Sequence, residues 1–77
     1  MKLEIISPSE ILFSGEAETV TLPGVSGKFT VLKNHASLIS ALKEGKVRFV
    51  HDGEESSVDI RGGLADIDNN NIAVCVY

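Results

Sequence analysis

The chain has 77 residues, with 7 basic against 11 acidic side chains for a formal charge of −4, one cysteine and no tryptophan. That length gives a single domain spanning residues 1–77, which buries only about 60% of its unfolded surface and sits near the lower limit for folding without partners. Cys75 has no disulfide partner, its spacing to His35 and His51 matches no zinc motif, and the scattered lysines and arginines form no patch for nucleic acid or anionic lipid.

Met1-Lys2-Leu3-Glu4 brings an acid at once and no apolar or Arg/Ser-rich presequence, so we expect no export signal and residence in a bacterial-type cytosol. Short runs rich in Val, Ile and Thr, separated by Gly, Pro, Asn or Asp, then give the pattern of an all-β sandwich. Lys2–Ile6 is the first strand, stopped by Ser7-Pro8-Ser9, since proline lacks a donor and holds its neighbour extended. Ile11–Phe13 and Glu16–Leu22 follow as strands with Gly15 between them. Pro23-Gly24-Val25-Ser26-Gly27 reads as a loop, because a proline does not suit a central strand. Lys28–Leu32 resumes with Phe29 and Val31 on one face and Thr30 on the other. Asn34-His35-Ala36-Ser37 breaks the chain again before Leu38–Leu42, which fits a short helical turn and a strand equally well and ends at Gly45. Val47–Ile60 is a hairpin, with Val47 and Phe49 alternating with Lys46 and Arg48 around Asp52-Gly53, a pair suited to positive φ. Gly62-Gly63 permits a bend before Leu64–Ile67, and Asp68-Asn69-Asn70-Asn71 turns the chain into a last strand with Ile72, Val74 and Val76 on one face. The longest apolar run, Ile72–Tyr77, falls far short of the roughly 20 residues that span a bilayer, so no direct bilayer insertion is expected. The expected core is Phe29, Val31, Val47, Phe49, Val58, Ile60 and Val74.

Catalytic chemistry is not legible. Gly24, Gly27 and Lys28 miss a phosphate-binding loop, which needs glycine at Leu22 and a hydroxyl at Phe29. His35 and Ser37 are near neighbours without the strand-turn-helix that presents a nucleophile, and His51, Asp52, Glu54 and Glu55 read as a solvated turn. Cys75 alternates with Ala73 and Tyr77 and is expected as a small buried hydrophobe. No catalytic residue, cofactor or metal is expected, and the residues alone stop at an acidic β-domain that binds another protein.

The stretch from Thr19 to Ile39 contains Val20-Thr21-Leu22-Pro23-Gly24-Val25-Ser26-Gly27-Lys28-Phe29-Thr30-Val31-Leu32 followed by His35-Ala36-Ser37-Leu38-Ile39. It closely resembles the epsilon subunits of F-type ATP synthases, as do Ile11-Leu12-Phe13-Ser14-Gly15 and Arg61-Gly62-Gly63-Leu64-Ala65-Asp66-Ile67, so the likeness covers nearly the whole chain. The resemblance implies an antiparallel two-sheet β-sandwich of about ten short strands. It implies a non-catalytic rotor subunit of the central stalk, on the cytoplasmic face of a bacterial inner membrane, that couples rotation of the c-ring to the catalytic head. Its implied partners are the gamma subunit, met through His35, Ala36, Leu38 and Ser40, and the polar loops of the c-ring, met through Val25, Ser26, Gly27 and Lys28. A free-standing β-sandwich adaptor or ligand-binding module is the alternative.

Three residues depart from the family pattern. Lys28 stands where an acid is frequent and would repel basic ring loops. Thr30 replaces a glycine, so its strand should run regularly without positive φ. Ser37 replaces a proline, which leaves its loop freer in the unfolded state. The resemblance also implies a C-terminal helical hairpin that is expected to be missing here, and with it any inhibition of ATP hydrolysis or binding of ATP.

Overall fold

A computed structural model describes Met1 to Tyr77 as nine strands and no helix. The strands are β1 (Lys2–Ile6), β2 (Ile11–Glu16), β3 (Thr19–Gly24), β4 (Gly27–Val31), β5 (Leu38–Leu42), β6 (Gly45–His51), β7 (Glu54–Ile60), β8 (Gly63–Asp68) and β9 (Asn71–Val76). One layer runs β2-β1-β9-β8-β5 and the other β4-β3-β6-β7. The layers are two parts of one folded sheet, joined where Gly24 of β3 pairs with Leu42 of β5. Two backbone bonds make that joint, Val25 N–H to the Ala41 carbonyl at 3.0 Å and Lys43 N–H to the Pro23 carbonyl at 2.9 Å. All pairs are antiparallel except β1 with β9, which run side by side in the same direction from Lys2 opposite Asn71 to Ile6 opposite Cys75. A parallel pair needs a long crossover, and here the seven intervening strands supply it.

The alternation expected from the sequence fills the space between the layers. Leu3 and Ile5, Val20 and Leu22, Val47 and Phe49, and Val74 and Val76 all point inward in a core of 15 buried apolar residues, and no polar residue is buried with them. Each such side chain contributes about 1.5–3 kcal/mol by leaving water. Of the expected core, Val31, Val47, Phe49, Ile60 and Val74 are buried, whereas Phe29 and Val58 are half-buried and pack at its margin on the outermost strands β4 and β7. Phe13 of β2 closes the far end, its ring 4.4 Å from that of Phe49 on the opposite layer.

Several boundaries differ from the sequence reading. There are nine strands rather than about ten. Gly15 lies inside β2 instead of ending a strand, opposite Leu3. Pro23 and Gly24 belong to β3, and only Val25 and Ser26 form the turn. A residue in an antiparallel strand turns its N and its carbonyl to the same edge. Since the Pro23 carbonyl faces Lys43, the missing donor of Pro23 faces the corner between β5 and β6, not a strand that would need it. Leu38–Leu42 is a strand, and Gly45 opens β6 rather than closing the segment before it. Thr30 does run regularly, without positive φ, and its hydroxyl bonds that of Thr21 at 2.9 Å. Cys75 corrects the sequence reading, because Val74 and Val76 occupy the inner face and strand alternation leaves Cys75 exposed on the outer one.

Tight turns carry the positive φ values where the sequence asked for them. Asp52 (φ 51°) and Gly53 (φ 76°) join β6 to β7, and Asn69 (φ 46°) and Asn70 (φ 65°) join β8 to β9. Both have the two left-handed residues of a two-residue hairpin, whose twist matches that of the strands.

Candidate docking surface

The outer faces of the two layers are built differently. On β3-β6-β7 the outward residues are polar except for Val50, with Thr21 opposite Arg48, Arg48 opposite Ser57, and Lys46 paired to Asp59 at 2.7 Å. On the other layer Ala41 lies opposite Leu64, Leu64 opposite Cys75, Cys75 opposite Ile6 and Ile6 opposite Ile11. Paired residues share a face, so these five form one apolar row crossing β5, β8, β9, β1 and β2. Leu64 is 48% exposed and Ile11 63%, with Ile39 (66%) and Tyr77 (75%) beside the row. One rung away the face turns polar: Asp66 lies opposite Ala73 and Ala73 opposite Glu4, and these line a shallow depression with Lys2, Asp68 and Asn71.

The residues singled out from the sequence fall in two places. Val25 and Ser26 are the exposed tip of the β3–β4 hairpin, and Gly27 and Lys28 begin β4, also exposed. These four share a groove of about 500 Å³ with Phe29 and with Leu38, Ile39 and Ser40 of β5. The segments expected to meet gamma and the ring therefore adjoin one another. His35 and Ala36 do not line this groove; they sit in the connection from β4 to β5, which crosses between the layers. The His35 ring is held locally, with Nδ1 2.6 Å from the Ala36 carbonyl oxygen, and its backbone N–H donates to the Leu32 carbonyl at 3.2 Å.

Sequence reasoning missed the apolar row, although a signal for it was present. Ile72–Tyr77 is apolar at every position, and a strand that alternates with a solvated face should not be. Continuous apolar strands are those covered on both sides.

The chain matches the family model described as the ATP synthase Delta/Epsilon chain, beta-sandwich domain, over residues 1–77. It is 44% identical over 70 residues to the ATP synthase epsilon chain of Chlorobium limicola, covering 90% of this chain and 80% of that one. With the ATP synthase epsilon chain of Campylobacter fetus subsp. fetus (strain 82-40) the identity is 45% over 75 residues, 96% of this chain and 58% of the relative. Among solved structures, a chain of the Euglena gracilis mitochondrial ATP synthase superposes with a TM-score of 0.89 at 19% identity, covering 96% of this chain and 48% of that one. A chain of the Tetrahymena thermophila mitochondrial ATP synthase central stalk and c-ring gives 0.82 at 10% identity, covering 97% and 61%. At these identities the two structures share the fold, and this chain spans about half to three-fifths of their length.

Proposed function

The chain belongs to the ATP synthase delta/epsilon-chain β-sandwich family, and from that premise we propose that it is a non-catalytic rotor subunit of the central stalk, fastening the gamma subunit to the c-ring. The observation that carries this reading is the apolar row on the outer face of the β2-β1-β9-β8-β5 layer. Sheet faces of small domains are ordinarily solvated unless something covers them, and here Leu64, Cys75 and Ile11 face water beside a tyrosine. Burying that row against gamma gives this marginal core a second apolar layer and gives the stalk a stiff attachment, since close-packed interiors transmit strain. The hairpin tip Val25–Lys28 is the part we assign to the polar loops of the ring; Leu38 and Ser40, on the groove side of β5 and not on the row itself, we assign to gamma at the edge of its contact. The whole assembly then works as a peripheral complex on the cytoplasmic face of the membrane. No helix here is long and apolar enough to cross one.

The test is co-purification with gamma. Leu64→Asp puts a charge into the row at an exposed position, so the isolated fold should keep its melting temperature while the gamma complex weakens more than about tenfold, as at an interface hot spot. Unchanged binding would remove the row from the interface, and a wild-type chain that fails to bind gamma at micromolar concentration would sink the stalk reading.

A further inference from the structure

The connection from β4 to β5 is tied down at its far side by side chains from the β8–β9 turn. Asn34 N–H donates to Asn70 Oδ1 at 2.6 Å, and Asn70 Nδ2 donates back to Asn34 Oδ1 at 3.0 Å. Because a main-chain N–H can only donate, Asn70 must present its oxygen there, which leaves its amide nitrogen free for the second bond and fixes the side chain's orientation. Three residues on, the Ser37 hydroxyl donates to Asp68 Oδ1 at 2.8 Å. This bond continues the β5–β8 ladder one rung past Leu38 opposite Ile67, on the outer side that Asp68 shares with Asp66 and Leu64. Both asparagines have φ 65°, a region their short polar side chains tolerate. All four residues are exposed or half-buried, none belongs to the core, and the three bonds span 31 to 36 residues of chain.

We propose that Asn34, Asn70, Ser37 and Asp68 are positioning residues for the docking edge: before the partner arrives they hold the His35 loop, which we assign toward gamma, against the β8–β9 end of the layer, across the polar depression from the apolar row. This role rests on the stalk reading and adds residues to it that do not themselves need to touch gamma. A loop between two layers, with an exposed Leu32 and no proline at Ser37, would otherwise sample many conformations and be ordered only on binding. Ordering it beforehand removes that cost from association, the physical content of preorganisation.

The discriminating variants keep the backbone and alter the clasp. Asn70→Gly accepts φ 65° and deletes both bonds. Asn34→Asp leaves its own N–H in place and still offers an oxygen to Asn70 Nδ2, so it preserves both. In the free chain, Asn70→Gly should speed amide hydrogen exchange at Asn34 while the melting temperature stays close to wild type. Against the gamma subunit it should weaken binding roughly fivefold, whereas Asn34→Asp should bind as wild type does at physiological salt. Wild-type binding that Asn70→Gly leaves intact, or an Asn34 amide whose exchange does not change, would overturn the positioning role alone. Failure of the wild-type chain to bind gamma would overturn the stalk reading and this role together.

Discussion

Cys75 and Lys28 are the residues whose surroundings translate most directly into measurements. The Cys75 thiol is exposed in the free chain and lies in the middle of the apolar row. A neutral alkylating reagent should therefore label it readily, and gamma should protect it; equal labelling rates with and without gamma would place the interface elsewhere. Lys28 is exposed at the start of β4, beside the hairpin tip assigned to the ring. Facing basic loops, Lys28→Glu should tighten ring attachment by no more than about 1 kcal/mol, as for any exposed charge pair. The gain should be largest near 0.01 M salt, where screening extends to about 30 Å, and should fade toward physiological salt. Acidic ring loops would reverse the sign, and indifference to both charge and salt would mean that Lys28 faces solvent. Within the fold, Gly63 is the least replaceable glycine: a methyl group there would run into the Cys75 carbonyl and come within 3.0 Å of the Val76 Cα, both of them backbone. Gly63→Ala should cost about 1–3 kcal/mol in chemical denaturation, the range of overpacking.

At the scale of elements, the hairpins were the most legible part of the sequence. Asp52-Gly53 and the asparagines after Asp68 announce positive φ, and the alternation of Val47, Phe49, Val58 and Ile60 sets the register around the first of them. The corner at β5–β6 was not legible, for a physical reason. Leu38–Leu42 carries no alternation that separates strand from helical turn, and what decides the matter is tertiary: β8 offers a five-residue ladder from Leu38 to Leu42. Pro23 misled for a related reason, since only the joint with Lys43 shows that its missing donor faces no strand. For the docking surface, the sequence pointed through family resemblance to Val25–Lys28 and the His35 segment. It did not reveal that these adjoin, nor that an asparagine pair 36 residues apart ties the loop down, because such contacts are made only by the fold. Phe49 is the element-scale probe of the core. Phe49→Ala removes the ring that β6 sends against Phe13 on the other layer, and should cost about 3–5 kcal/mol. Against a total stability of about 4–12 kcal/mol for a chain of this length, that is a large fraction, and the midpoint of chemical denaturation followed by circular dichroism should fall well below that of the wild type.

For the whole molecule, two outer faces of different character give this small sandwich, measuring 25 × 23 × 17 Å, a wet side and a side crossed by a dry row. The dry row is bounded by the free edge of β2 and by the β5 corner, so a partner lying along it touches five strands at once and grips the sheet across its hydrogen bonds. The parallel seam between β1 and β9 has a different consequence, which concerns biosynthesis. Lys2 finds Asn71 and Leu3 finds Ile72, so the N-terminal strand leaves the ribosome long before the neighbour that covers its flank exists. Until then Leu3 and Ile5 have only the β2 hairpin for company, and an isolated hairpin is at best marginally stable in water. The seam accordingly closes last, on the ms–s timescale of non-local β topologies, and the nascent chain carries an unpaired sticky edge throughout its synthesis.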